Sequence, residues 1–332
     1  MKRTIALLIL IPFQYACEEG VPRQKDAVVH EKNDVMHHKD VIFREKDAAI
    51  PDDDAVPLEN DAAYGKDAIV IDNVQSYQIA PPNSEGHTIA SRFAVPTGFK
   101  RISVDSASFG RYLRTLPLKP EGSTVMYFNG RTKANNGVYD AVVDLPIGKR
   151  DLHQCADAVM RLRAEYLYSH KKYDSIHFNF TNGFRADYSK WRNGQRISVN
   201  GNDVRWNSSG AASTSYSDFW KYLEMVFSYA GTASLEKELP SIPLEKMAIG
   251  DVFVQGGFPG HAVIVVDLAT HRSTGEKVFL LAQSYMPAQE IQILKNPNDA
   301  DLSPWYSLST AKDELRTPEW TFGKHDLKRF SS

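Results

Sequence analysis

The stretch GDVFVQGGFPGHAVIVVD, residues 250–267, decides the fold of this 332-residue chain. Two apolar runs flank a loop of glycines, a phenylalanine and a proline, a pattern that predicts two β-strands and a turn. His261 is the first residue of the second run, and alternation places Val263 on its face and Ala262 on the other. Because both faces are apolar, we expect a central strand whose histidine is neutral and accepts a proton. The alternative is a core histidine bonded to a backbone carbonyl.

A helix is predicted over DLHQCADAVMRLRAEYLYSH, residues 151–170. Asp151 is expected to cap it, with Gln154 completing a pair like a capping box, so that Cys155 falls in the first turns. One face carries residues at the spacing i, i+4, i+7 and i+11: Cys155, Val159, Leu162 and Tyr166. This face is expected to pack on the sheet that carries His261. The helix N-terminus favours a thiolate at Cys155, although a small buried packing residue is the alternative.

A polar residue interrupts the next apolar run, KVFLLAQSYMPAQ, residues 277–289. Alternation places Gln283 on the same face as Phe279 and Leu281, where another apolar side chain is expected. Its amide oxygen would accept the second N–H of His261, the role of the third residue in a Cys-His hydrolase. A glutamine at a strand end, bonded to backbone, is the simpler alternative.

The N-terminal residues predict export. Lys2 and Arg3 precede an apolar run that is too short to span a bilayer, as in a secretory signal peptide, which we assign to residues 1–16. The Ala16-Cys17 pair resembles a lipoprotein processing site, which implies that Cys17 is lipidated and anchors the protein in the cell envelope, at the outer membrane. Ordinary signal cleavage nearby is the alternative. With Cys17 lipidated, Cys155 is the only free thiol of an exported chain.

Residues 17–87 form an acidic segment, in which Asp and Glu outnumber Lys and Arg roughly two to one and aromatic residues are sparse. Such a composition buries too little apolar surface to fold, so this segment is predicted to be a disordered tether. The folded domain is assigned to residues 88–332. Within it, residues 170–245 form an aromatic-rich insertion, and Trp191 and Trp206 lie beside polar turns that would expose them to a sugar or peptide. The predicted substrate-contacting residues are Tyr139 as a second oxyanion donor, Gln154, Trp191, Trp206 and Gly260.

Several function classes lack their sequence signals. The chain has no Walker-type or Rossmann glycine pattern, no pair of zinc ligands at helical spacing and no dense Lys/Arg cluster, and its formal net charge is -2. We therefore expect no nucleic-acid partner, no metal and no cofactor.

The order of a helix-borne cysteine, a histidine that opens a strand and a polar residue on the next strand resembles the papain-like cell-wall cysteine peptidases of the NlpC and CHAP groups. The motifs that carry this resemblance are GDVF and GHAVIVVD. It implies an α+β fold in which the nucleophile helix packs on a small antiparallel sheet. The CADAVMRLRAEYLY, GGFPGHAVIVVD and AQSYMPAQ stretches also resemble a domain of unknown function common in bacterial envelope lipoproteins, which implies no activity.

The function expected from the sequence is an envelope cysteine hydrolase, an amidase or peptidase that acts on cell-wall peptide or glycopeptide. Cys155 would attack the carbonyl carbon, His261 would carry the proton, and Gln283 would hold the ring. Two alternatives stay open. The first is a non-catalytic module that binds glycan or protein through the aromatic insertion. The second is an acyltransferase in which another nucleophile resolves the thioester.

Overall fold

The computed structural model describes residues 77–331. The predicted signal peptide, the lipidated Cys17 and most of the predicted tether lie outside the described residues. Residues 77–87 lie against the domain, since the Tyr77 hydroxyl donates to Glu276 and the Leu118 amide donates to the His87 carbonyl at 2.9 Å. Contacts with the folded domain thus begin before Thr88, the predicted boundary.

The described chain alternates short helices and strands. Its helices are α1 (Ile89–Arg92), α2 (Phe109–Arg114), α3 (Cys155–Ser169), α4 (Tyr188–Arg192), α5 (Tyr216–Tyr229) and α6 (Thr232–Glu238). The first strands are β1 (Phe99–Arg101), β2 (Tyr139–Val142), β3 (His177–Asn179), β4 (Arg185–Asp187), β5 (Arg196–Asn200) and β6 (Asp203–Asn207). The later strands are β7 (Val252–Gln255), β8 (His261–His271), β9 (Lys277–Gln283), β10 (Gln292–Leu294), β11 (Tyr306–Ser307), β12 (Glu314–Arg316), β13 (Thr321–Gly323) and β14 (Leu327–Lys328).

An eight-stranded antiparallel sheet forms the centre of the domain. Its order is β14-β7-β8-β9-β10-β2, while β1 pairs with β8 and β11 pairs with β9. The fold is therefore mixed α+β with an antiparallel sheet, as predicted, although this sheet is larger than the small one expected. Three two-stranded sheets, β3-β4, β5-β6 and β12-β13, lie outside it.

The strand β8 separates two apolar clusters, as its predicted alternation requires. Ala262 and Ile264 pack in the cluster that contains Val159 and Leu162 of α3. On the opposite face, Val263 belongs to a second cluster with side chains of β7, β9 and β13. Each fully buried aliphatic side chain stabilises the fold by about 1.5–3 kcal/mol. The prediction of a central strand with two apolar faces, packed against the cysteine-bearing helix, is confirmed.

The helix α3 begins later than predicted. Its N-cap is Gln154, whose backbone N–H donates to Asp157 Oδ2 at 3.0 Å, and Cys155 is its first residue. Asp151 is not the cap, so that prediction is wrong. Its Oδ1 instead accepts the Gln154 side-chain amide at 3.1 Å and the Ala288 backbone N–H at 2.7 Å. Asp151 thereby ties the start of α3 to the loop that follows β9.

The insertion, residues 170–245, is largely a packed aromatic layer. Trp191 is only 5% exposed, because the short helix α4 turns it onto Tyr222 of α5. Its Nε1 donates to the Asp218 carbonyl at 3.2 Å. The prediction that Trp191 is exposed is therefore wrong: its polar sequence neighbours lie on the outer face of α4 while the ring faces inward. Trp206 is half-buried, with its ring 5.7 Å from that of Phe184.

Candidate active site

His261 and Gln283 meet at one end of the central sheet. His261 opens β8 and Gln283 closes the antiparallel neighbour β9, so both lie at the same sheet edge. The His261 Nε2 atom lies 2.8 Å from Gln283 Oε1. The two side chains are 2% and 1% exposed, so this bond is sheltered from water. The structure thus brings together the two polar residues that alternation placed in apolar strands.

The Gln283 amide is oriented by two charged residues that the sequence did not predict. Its Nε2 donates to Glu319 Oε2 at 2.6 Å, and Lys133 Nζ donates to the same oxygen at 2.7 Å. A carboxylate only accepts hydrogen bonds, so the NH₂ group of Gln283 faces Glu319 and its carbonyl oxygen faces His261. Lys133, which is buried, fixes Glu319 in turn.

This orientation determines the tautomer of His261. An amide oxygen is only an acceptor, so His261 must donate from Nε2, and in the neutral ring the proton is then on Nε2. Burial, with a smaller contribution from the Lys133 charge, lowers the pKa of His261 to about 4, although the Gln283 hydrogen bond opposes this shift. Among residues 77–331, Nδ1 has no hydrogen-bond partner. The ring therefore presents an unprotonated Nδ1 at neutral pH.

Cys155 lies at the first position of α3, beside the strand that begins with His261. Burial and then the Asp157 charge raise the pKa of the Cys155 thiol to about 12, while hydrogen bonds from the backbone amides of Ala156, Ala262 and Cys155 itself lower it. The sulfur therefore lies against the amide of the residue after His261. No hydrogen bond joins the Cys155 thiol to the His261 ring within the described chain. The expected resting thiolate is opposed by this burial, which outweighs the helix terminus.

Aromatic rings enclose His261 on its other sides. The ring centroids of Tyr285, Trp320 and Phe322 lie 4.8, 5.4 and 6.0 Å from that of His261. Burial, then the charges of Glu319 and Cys155, raise the pKa of Tyr285, so its phenol is protonated and lies near the thiol. Tyr285 lies two residues beyond Gln283, the last residue of β9, so it continues the alternation of that strand past its end, a pattern that could have identified it. Lys133, Glu319 and Trp320 belong to distant loops and carry no such signal.

A second histidine, two residues before Cys155, contacts the loop after β9. His153 is fully buried, and its Nδ1 lies 3.2 Å from the Gln289 carbonyl. Burial and then the Arg161 charge lower the pKa of His153 to about 3, so this histidine is neutral. Ser284 Oγ donates to the carbonyls of both His153 and Gln289, at 2.9 and 2.7 Å. The segment that carries Tyr285 is thereby fastened to the start of α3.

The other predicted substrate-contacting residues, Tyr139, Gln154 and Gly260, make contacts within the domain. The Tyr139 hydroxyl accepts the Val125 backbone N–H at 3.1 Å, on edge strand β2, and β9 and β10 separate it from β8. The Gln154 side chain donates to Asp151. Gly260 directly precedes His261, and a Cβ there would lie 2.4 Å from Thr232 Oγ1, so only glycine fits. None of these contacts places a side chain beside Cys155, and an oxyanion role for Tyr139 has no geometric support.

Two cavities of the described chain lie away from this site. One of about 290 Å³ is lined by residues that include Pro81, Phe93 and Trp305, and one of about 230 Å³ by residues that include Arg163 and Glu238. Between residues 77 and 331, no group of three or more His, Cys, Asp or Glu is placed to hold a metal ion. Nor does this part of the chain contain a helix with the length and apolar character needed to cross a membrane.

A sequence-family profile matches residues 89–329, which include every residue of this site. The chain belongs to the family described as Domain of unknown function (4846). No curated protein and no solved structure matches the chain. In this 4846 domain, the cysteine helix, the histidine strand and the Gln283 strand all lie inside the matched region, together with Lys133 and Glu319. The family description names no activity, so function rests on the geometry of the site.

Proposed function

We propose that this protein is a cysteine hydrolase of the cell envelope, an amidase or peptidase that acts on cell-wall peptide or glycopeptide. The observation that carries the proposal is the chain of hydrogen bonds from Lys133 through Glu319 and Gln283 to His261. This chain fixes the tautomer that leaves Nδ1 as a base, beside the backbone amide that contacts the Cys155 sulfur. A cysteine at the start of a helix on an antiparallel sheet also supports the expected papain-like arrangement.

The resting pair is neutral, so attack and proton transfer are coupled. Because the pKa of Cys155 is raised and that of His261 is lowered, the thiol loses its proton to Nδ1 as sulfur bonds to the carbonyl carbon. The carbonyl π electrons move to oxygen. His261 then gives the proton to the leaving amine as the C–N bond breaks, which leaves a thioester at Cys155. Water, deprotonated by His261, adds to the thioester and releases the acid and the thiol.

The developing oxyanion needs two donors. The backbone N–H at the first position of α3 supplies one, where the helix dipole favours negative charge. In place of Tyr139, we assign the second donor to Tyr285, whose pKa is raised in part by the charge of Cys155. The Tyr285 phenol has no hydrogen-bond partner among the described residues. The ring contact with His261 holds this phenol at the site.

The proposal is tested by measuring the amino groups released from purified cell wall. Cys155→Ala, His261→Ala and the double variant should fall to one common floor, since each removes the same step. Gln283→Ala should retain partial turnover. His271→Ala, at the other end of the same strand, is the matched control and should keep wild-type turnover. Wild-type turnover in Cys155→Ala, or none in the wild-type protein, would reject the proposal.

A non-catalytic binding module is the second candidate, favoured by the burial of Cys155 and by its lack of a hydrogen bond to His261. This candidate predicts that Cys155→Ala binds cell wall like the wild-type protein and that Trp206→Ala, in the insertion, does not. Transfer to another acceptor is the third outcome. It would appear as amide exchange when an amine is added to the same assay.

A further inference from the structure

A cavity of about 230 Å³ lies beside the C-terminal part of α3. Strands β3 and β4, the end of α6 and the C-terminal residues Phe330 and Ser331 contribute to its wall. Its charged side chains are Arg163, Arg185 and Glu238, and its polar ones include His177 and Asn179. Arg163 follows Cys155 by eight residues on α3, roughly 12 Å along the helix axis, so this cavity is separate from the candidate active site. It brings together opposite charges from segments far apart in the sequence.

Arg163 is a partly buried cation without an acidic partner among residues 77–331. Its Nη2 donates to the neutral Ser331 carbonyl at 3.1 Å. The rings of Phe109 and Phe330 hold the guanidinium at 5.2 and 5.6 Å from their centroids. Burial lowers the pKa of Arg163, which means that its surroundings disfavour the positive charge. An anion in the cavity would offset this cost.

Glu238 is the complementary case. Its Oε2 accepts the Asn179 backbone N–H at 2.8 Å, while its Oε1 lies 3.7 Å from His177 Nε2, beyond hydrogen-bond distance. Burial raises the pKa of Glu238 and lowers that of His177, so this histidine brings no full positive charge at neutral pH. Arg185 opposes the rise in the pKa of Glu238, but its Nε donates to Asp187 at 2.7 Å. A cation bound beside Oε1 would complete the pairing of Glu238.

We propose that this cavity binds a small zwitterion of the α-amino acid class, with its carboxylate on Arg163 and its ammonium on Glu238. Each protein charge then gains the partner that the described chain does not supply. Leu167, Phe178 and Leu239 form an apolar wall that suits a small aliphatic side chain. The volume is below the roughly 300–1,000 Å³ of sites for drug-sized ligands, in keeping with an amino acid. The site does not depend on catalysis by Cys155.

Isothermal titration calorimetry on the wild-type protein tests the proposal with glycine, L-alanine, D-alanine and L-leucine. At least one should bind. N-Acetyl-L-alanine, which lacks the ammonium, and L-alaninamide, which lacks the carboxylate, should bind at least about tenfold more weakly than L-alanine or not at all, as expected for a lost charge-assisted contact. No binding by any of the four amino acids, or equal binding of either blocked form, overturns the proposal.

Variants locate the site. Glu238→Gln and Arg163→Gln should each weaken binding by about tenfold or more. Arg205→Gln is the matched control, because Arg205 lies on β6, is exposed, and pairs with Asp203. It should bind like the wild-type protein. Circular dichroism verifies folding, and the blocked ligands decide the question on the wild-type protein if a variant does not fold. Unchanged binding in a folded Glu238→Gln variant places the ligand elsewhere and refutes the assignment.

Discussion

Glu319 allows the charge and the hydrogen bond of the orienting chain to be tested separately. Its Oε2 accepts both Lys133 and Gln283, and the side chains of Lys133 and Glu319 are 3% and 15% exposed. Replacing Glu319 with Met removes the acceptor and leaves Lys133 as a buried charge without it. Breaking a buried pair costs about 3–5 kcal/mol, and the partial exposure of Glu319 favours the low end. For a domain of this size, we expect a melting temperature lower by about 6–12 °C.

The same substitution should change the tautomer of His261. Without Glu319, the Gln283 amide can rotate so that its NH₂ group faces Nε2, which then has to accept, and the ring proton moves to Nδ1. Nitrogen-proton NMR of the ring should show a single Nε2–H tautomer in the wild-type protein and a mixture or the Nδ1–H form in Glu319→Met.

Glu319→Gln is the matched control, because its amide oxygen can still accept from Lys133 and Gln283. It should lose stability, since the charge is gone, yet keep the Nε2–H tautomer. Adding Lys133→Met to the Glu319→Gln variant should restore most of the lost stability, because no unpaired buried charge remains. If Glu319→Met keeps the wild-type tautomer at full occupancy, Glu319 does not orient Gln283 and the reasoning is wrong.

Three further predictions follow from the site. Native Cys155 should react with iodoacetamide far more slowly than Cys155 of the unfolded chain. A pKa raised from 9.0 to about 12 lowers the thiolate fraction roughly a thousandfold at neutral pH. A native reaction as fast as that in urea would show that burial does not raise the pKa of this thiol. His153 and His261 are neutral when folded and take up protons near pH 6.5 when unfolded, so the free energy of unfolding should fall by about 1.6 kcal/mol for each between pH 6.5 and 5. Urea titrations in which His153→Asn keeps the full wild-type pH slope would exclude the contribution of His153. Tyr285→Phe should lower turnover about 10²-fold and leave the melting temperature unchanged. Tyr139→Phe should lower the free energy of unfolding by about 1–3 kcal/mol and leave turnover nearly unchanged, because the Val125 N–H loses its acceptor. The reverse pattern would assign the oxyanion role to Tyr139.

The sequence predicts the parts of this fold that depend on periodicity. Alternation in residues 250–267 identified β7 and β8, and the helical spacing after Cys155 identified α3, because each of these segments buries whole faces. Gln283 was predicted to face His261 for the same reason, as a polar residue out of place in an apolar strand. The start of α3 was predicted too early, because Asp151 accepts a backbone N–H from the loop after β9 and does not cap the helix.

The rest of the site depends on contacts between distant parts of the chain. Glu319 meets Lys133 across 186 residues, and neither residue lies in a repeating pattern. Trp191 was taken for a surface residue because its sequence neighbours are polar. A five-residue helix has too few turns for its buried face to be visible in the sequence. Local pattern thus locates Cys155, His261 and Gln283, whereas Lys133 and Glu319, which orient Gln283, require the tertiary structure.

Glu319 lies near the C-terminal end of the chain, so it is synthesised after the residues that it orients. A growing chain acquires Cys155 first, then His261 and Gln283, and only 36 residues after Gln283 the carboxylate that orients its amide. Until then the β12-β13 hairpin is incomplete and Lys133 lacks its counter-charge. A nascent chain therefore holds Cys155 and His261 before it holds the group that sets the tautomer of His261. Under the proposed function, every partial product of translation lacks the carboxylate that orients Gln283, so full turnover requires the closed hairpin.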